Sequence, residues 1–214
     1  MNTDYQKIPA KQNPNVQLMI LPGHFVTSHS HVTTYMEITN MKTRCNEASG
    51  LATLLAQRYS IDTPVDTIVC IDGTEVIGTY LAEVLMRSGF LAYNAHRTIY
   101  VISPELTASG QIIFRDNMVG ALKNKHVLLL LGSITTGNSV DSIARSVSYY
   151  GAKISGICSI FSAIDELNDV PIVSAFRLDD IPEYGSYKPT ECPLCAQGIK
   201  IDAIVNSFGY SELN

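Results

Sequence analysis

The stretch that most limits how this chain can fold is Val127-Leu-Leu-Leu-Leu131, which runs at once into Gly132-Ser-Ile-Thr-Thr-Gly-Asn138. Five consecutive apolar residues have no polar face to turn to water, so they predict a strand covered on both sides, the usual state of a parallel strand between helical layers. From Ser139 onward Val140, Ile143, Ala144 and Val147 recur at helical spacing, and Gly151 ends that helix. Strand, tight loop and helix in this order form one half of a βαβ unit.

The same alternation fills the centre of the chain. Residues 46 to 59 set Leu51, Leu54, Leu55 and Ala56 on a helical face, and Asp62-Thr-Pro64 breaks the pattern before the apolar run Thr67 to Ile71. Asp72-Gly73 closes that strand. A second helix is expected with Val76, Ile77, Tyr80, Leu81, Val84 and Leu85 inward and Gly89 at its C-terminal cap. Strands are expected around Leu91 to Tyr93, Thr98 to Ile102 and Ile154 to Phe161. The fold class is therefore α/β, a parallel sheet flanked by helices over residues 46–178, with segments 1–45 and 179–214 forming a smaller covering element.

Charge and composition remove several functions. Fifteen Lys plus Arg against 20 Asp plus Glu leave a net charge of -5, with no basic field to hold a nucleic acid backbone. No apolar run approaches the roughly 20 residues that span a bilayer, and the start lacks the apolar core of a signal peptide. The expectation is a cytoplasmic protein with no nucleic acid or membrane partner. Five Cys, an odd number, at 45, 70, 158, 192 and 195 read as reduced thiols. Cys192-Pro-Leu-Cys195 has the spacing of half a zinc knuckle, but no second Cys pair exists, so a turn with two partly packed thiols is expected and no metal ligand is assigned. His24, His29 and His31 are read likewise as polar residues of the covering element.

The loop after the central strand carries the chemistry. Ser133, Thr135, Thr136, Gly137, Asn138 and Ser139 offer hydroxyls, backbone N–H groups and the positive end of a helix, a combination suited to one phosphate. An ordinary turn with a Ser or Thr cap has the same composition. The Lys of a Walker loop is missing.

The segment Val127 to Ser139 resembles the phosphoribosyl pyrophosphate (PRPP) motif of type I phosphoribosyltransferases, in which a hydrophobic strand leads through two acids to Thr-Thr-Gly. Gly23-His-Phe-Val-Thr-Ser28 with Tyr35 resembles the N-terminal Gly-x-Phe-x-x-Ser segment of the orotate branch, and Glu191-Cys-Pro-Leu-Cys195 resembles the ending of some members. The resemblance covers about residues 20 to 200. It implies the type I phosphoribosyltransferase fold with a small hood, a homodimer, and transfer of ribose 5-phosphate from PRPP to a pyrimidine or related base with magnesium. It also implies a pyrophosphate loop at Asp72, Gly73, Thr74 and Glu75, and base or hood contacts from Phe25, Ser28, His29 and His31.

Four positions depart from that pattern. The two ribose-binding acids fall on Leu131 and Gly132, and a carboxylate, Glu75, sits in the pyrophosphate loop. The stretch Thr98 to Phe114 holds no Lys or Arg, with Arg97 and Arg115 flanking it, and the Arg that meets orotate falls on Ala163. Two expectations follow: a protein that binds a nucleotide or PRPP-type phosphate without transferring it, or a working transferase with an altered ribose site.

Overall fold

The computed structural model describes residues 4–28, 30–88, 92–95, 98–107, 111–206 and 208–213. In chain order, the strands β1 (Gln6–Ala10), β2 (Asn13–Val26) and β3 (His31–Glu37) lead to helices α1 (Thr39–Thr43) and α2 (Cys45–Ala56). Then come β4 (Thr67–Cys70), α3 (Glu75–Met86), β5 (Tyr100–Ile102), the short pair β6 (Glu105–Leu106) and β7 (Ile112–Ile113), and α4 (Asp116–Val119). The second half runs through β8 (His126–Ile134), α5 (Asn138–Tyr149), β9 (Lys153–Ser162), β10 (Glu166–Leu167) and β11 (Val170–Arg177). It ends with β12 (Ser186–Tyr187), α6 (Pro193–Ala196), β13 (Ala203–Asn206) and β14 (Gly209–Glu212).

The central sheet has the order β10-β11-β9-β8-β4-β5, with β8 parallel to both of its neighbours. Side-chain alternation splits β8 between two cores. Leu128 and Leu130 join the layer of α2 and α3, whereas Val127, Leu129 and Leu131 join Val140, Ile143 and Val147 of α5. That division is why the run is apolar at every position. From β4 the chain goes to β5 on one side and later to β8 on the other, so the order reverses between β4 and β8. In open parallel sheets, ligands bind at the carboxyl ends of the strands at such a reversal.

The hood is a second sheet, in the order β12-β3-β2-β13-β14 with β1 added on β2. Its strands come from residues 6–37 and 186–212. Leu21, Phe25, Val32, Tyr35, Ala203 and Val205 form its own small core. One expectation changes and one is not tested. The cap at Gly89 and the residue Leu91 lie outside the described residues, and Tyr93 lies in a turn, not a strand, its N–H donating to the Ile61 carbonyl at 2.9 Å. Buried Asn94 holds that turn, accepting from the Val65 N–H at 2.9 Å and donating to the Thr63 carbonyl at 2.8 Å.

Candidate functional site

Two loops meet where the sheet order reverses: 71–75 after β4 and 132–138 after β8. At the second, Gly137 has φ +80° and stands immediately before α5, and a Cβ there would lie 2.9 Å from the Ile164 side chain. A left-handed turn at this point directs the chain into the helix, which only glycine does without strain. A recess of about 120 Å³ opens over the start of α5, lined in part by Ser133, Thr135, Thr136, Gly137 and Ser139. Asn138 joins Ser133, Thr135, Thr136 and Ser139 on the wall of a larger cleft of about 470 Å³. All six residues expected to hold phosphate thus converge on one place, at a helix N-terminus with hydroxyl donors around it.

The loop 71–75 divides its duties. Asp72, at φ +63°, lines both the recess and the cleft. Gly73 is exposed, while Thr74 is buried and donates to the Ile71 carbonyl at 2.9 Å and the Leu130 carbonyl at 3.1 Å. Glu75 starts α3 and accepts from the Ser103 hydroxyl at 2.6 Å. Behind the loop is a residue that sequence reasoning passed over. Lys42 of α1 is buried and its Nζ donates to the Asp72 carbonyl at 2.9 Å. Burial pulls its pKa down, against the opposing pull of Asp72, Glu37 and Glu75. Its sole sequence signal was a lysine among apolar neighbours, Ile38 and Met41.

The positions of the family's ribose acids are filled in a way that excludes carboxylates. Leu131 is 2% exposed in the core beneath α5. A Cβ on Gly132 would lie 3.2 Å from the Asp72 Cβ and 3.2 Å from Ile38. Ala163 packs against the core, and its neighbour Ser162 donates to the Ile164 carbonyl at 2.7 Å. Arg115 is held by Glu105, with Nη2 to Oε2 at 2.6 Å, and Arg97 lies outside the described residues. Arg177, beside the end of β9, is paired with Asp165. Among the described residues, no lysine or arginine lines the cleft or the recess.

The hood supplies the opposite wall. Ser28 lines the cleft together with Thr27, Ser30 and Tyr35. Phe25 is fully buried in the hood core, 5.9 Å from the Tyr35 ring, and His29 lies outside the described residues. Half-buried Tyr184 gives the cleft an apolar side that the sequence did not reveal, backed by the fully buried Phe161 with its ring 5.5 Å away. Burial pushes the Tyr184 phenol up to about 12, so it is a neutral hydroxyl at ordinary pH.

His31 turns away from the cleft into a second cluster. His24 Nε2 lies 3.0 Å from His31 Nδ1 and 3.5 Å from Cys192 Sγ, and Cys195 Sγ lies 3.6 Å from His24 Nε2 and 3.3 Å from His31 Nδ1. Cys192 and Cys195 are thus grouped with two histidines from β2 and β3.

No protein-family model matches the chain. It is 28% identical over 187 residues to orotate phosphoribosyltransferase of Chlorobaculum parvum, covering 86% of this chain and 88% of that protein. It is 29% identical over 193 residues to orotate phosphoribosyltransferase of Chlorobium phaeobacteroides, with the same coverage. Among solved structures, orotate phosphoribosyltransferase of Mycobacterium tuberculosis superposes with a TM-score of 0.52 at 14% identity, over 76% of this chain and 91% of that one. UMP synthase of Leishmania donovani superposes with a TM-score of 0.54 at 13% identity, over 75% of this chain and 34% of that one. The chain has the type I phosphoribosyltransferase fold, and its sequence resembles the orotate phosphoribosyltransferases.

Proposed function

We propose that the protein binds a phosphorylated ribose compound, with its phosphate on the loop 133–139 and its base toward Phe161 and Tyr184, and that the phosphoribosyl transfer reaction has been lost. The observation that carries this reading is a cleft of about 470 Å³ with hydroxyl donors and an aromatic wall but no cationic side chain among the described residues. One phosphate can be held by backbone N–H groups, hydroxyls and a helix end. A departing pyrophosphate, facing the carboxylate of Asp72, needs more positive charge than that. A nucleoside monophosphate therefore suits the cleft better than PRPP.

Magnesium, which the resemblance implies for an active enzyme, takes oxygen ligands from one or two carboxylates and from substrate phosphates. Leu131 and Gly132 offer no side-chain oxygen, and of the loop carboxylates only Asp72 lines the cleft, so these side chains do not make a magnesium site. The protein is further proposed to be cytoplasmic and a homodimer, as the family resemblance implies. No helix among the described residues is long and apolar enough to cross a membrane.

A second reading, a working phosphoribosyltransferase, draws on the 86% coverage by curated orotate phosphoribosyltransferases. Thermal shift with UMP, PRPP and pyrophosphate, each with and without magnesium, separates the two. Saturating UMP should stabilise the protein without magnesium, by about 2.7 kcal/mol at a hundredfold excess over Kd. Absence of a shift with every compound overturns the binding reading. Orotate consumption with PRPP and magnesium should be undetectable, and turnover near one per second, within the ordinary range of enzymes, overturns the loss of transfer.

A further inference from the structure

We propose that His24, His31, Cys192 and Cys195 form a structural zinc site that staples the C-terminal segment to the β2–β3 hairpin. The four ligand atoms, two ring nitrogens and two sulfurs, all lie within 4.8 Å of one another. A tetrahedral zinc ion with ordinary bond lengths sets ligand edges of about 3.3 Å between two nitrogens, about 3.6 Å between nitrogen and sulfur, and about 3.8 Å between two sulfurs. The nitrogen to nitrogen separation is 3.0 Å, and three of the four nitrogen to sulfur separations are 3.5, 3.6 and 3.3 Å. These four edges match a zinc coordination sphere to within about 0.3 Å, and the other two lie within 4.8 Å.

The surroundings agree with that assignment. His24 Nδ1 lies 2.9 Å from the Ile199 carbonyl, so the proton sits on Nδ1 and the Nε2 lone pair faces the cluster. Such an outer carbonyl is the usual partner of a metal-bound histidine, holding both its tautomer and its ring orientation. His24 is fixed from the backbone as well. Its N–H donates to Asp202 Oδ2 at 2.8 Å and its carbonyl accepts from the Asp202 N–H at 2.8 Å. The chain is bulged here, and a Cβ on Gly23 would lie 2.7 Å from Asp202 Oδ2. His24 and Cys192 are 1% and 3% exposed, while Cys195 reaches solvent.

Binding is balanced in atoms and charge. Zinc(II) enters, two thiols each release one proton to water, and the resulting site of one dication, two thiolates and two neutral imidazoles carries no net charge. A neutral cluster is tolerated where two bare thiolates would not be. Four protein ligands leave no open position for a water nucleophile, so the role is structural. Two sulfurs and two imidazoles in a tetrahedral arrangement favour zinc over magnesium or calcium. The staple also bears on the cleft, because His24 and His31 flank the turn 27–30, whose Thr27, Ser28 and Ser30 line it. This inference does not depend on phosphate binding.

The test is metal analysis of protein purified under reducing conditions without chelator, with about one zinc per chain expected and X-ray absorption showing two sulfurs near 2.3 Å and two nitrogens near 2.0 Å. Cys195→Ser should lower the zinc content at least several-fold, while Cys45→Ser should leave it unchanged. Should the first variant fail to fold, cobalt exchanged into the unmodified protein must give the visible bands of tetrahedral cobalt and a thiolate charge-transfer band. Metal well below one equivalent with no cobalt spectrum overturns the proposal. So does a Cys192–Cys195 disulfide in the reduced preparation, or a Cys195→Ser variant that retains its zinc.

Discussion

The hood cluster and the cleft sit on either side of one turn, yet they stand in opposite states of completeness. In the hood, two imidazoles and two thiols from three separate segments converge, and the one His24 nitrogen not facing the cluster is already bonded to a carbonyl. In the cleft, the hydroxyl loop 133–139 converges, but the positions aligned with the ribose acids are Leu131 and Gly132, Arg115 is paired with Glu105, and among the described residues no lysine or arginine lines the walls. A constellation is informative when all of its parts are present. By that standard the hood cluster favours the proposed zinc site, and the cleft favours the proposed binding of a phosphate without ribosyl transfer.

The sharpest way to break the comparison is to put the ribose acids back. Leu131→Glu combined with Gly132→Asp should produce no orotate turnover and should lower stability by on the order of 3 kcal/mol or more, read by chemical denaturation. One carboxylate would enter a core position that is 2% exposed, and the other would face Asp72. A stable double variant that turns over orotate would show the cleft to be one step from function.

Next in size is Gly137→Val. The backbone there needs φ +80° and the new side chain would strike Ile164, so UMP affinity by calorimetry should fall at least about tenfold, with a stability loss of about 1–3 kcal/mol. Unchanged affinity would move the phosphate away from this loop. Zinc removal should leave that affinity weakened by a smaller factor, since it acts on the hood wall only.

A titration separates sheet from hood by pH. Burial pushes the Cys70 thiol from 9.0 up to about 12, and Cys158 is raised by burial too. Both are neutral when protonated, so the stability they contribute is whole below pH 9.0 and is lost as pH rises toward 12. In the hood, burial likewise raises Tyr35 from 10.0, and its loss begins one unit later. Thermal melting should decline from about pH 9, by at most about 1.4 kcal/mol per unit per thiol. Replacing both thiols with alanine should delay that onset toward pH 10, and an unchanged onset would mean that other groups control it.

The central sheet was legible because its signals are local. An all-apolar run, a glycine at a left-handed turn and a helical stripe each lie within a dozen residues. The loop 71–75 could be located in the sequence but its side chains not oriented: nothing in Asp72-Gly-Thr-Glu75 tells that Thr74 points into the core while Asp72 lines the cleft. Lys42 was invisible because its partner is a backbone carbonyl 30 positions away. The meeting of His24, His31, Cys192 and Cys195 was hidden for a related reason. The cluster's two halves are far apart in the chain, with 168 residues between His24 and Cys192, and the β2–β13 and β3–β12 pairings bring them together.

The hood's use of both ends of the chain has a consequence for how the protein is made. During synthesis β2 and β3 emerge early, but β13, which pairs with β2 in parallel, follows nearly the whole central sheet. Contacts of such sequence separation close slowly, and until they do the hairpin shows an unpaired strand edge and two histidines without their sulfur partners. The nascent chain thus completes its sheet first and its cover last. A ribosome-bound fragment ending before residue 192 should hold a protected sheet and an exchanging hairpin, and metal capture would mark the moment at which the two ends meet.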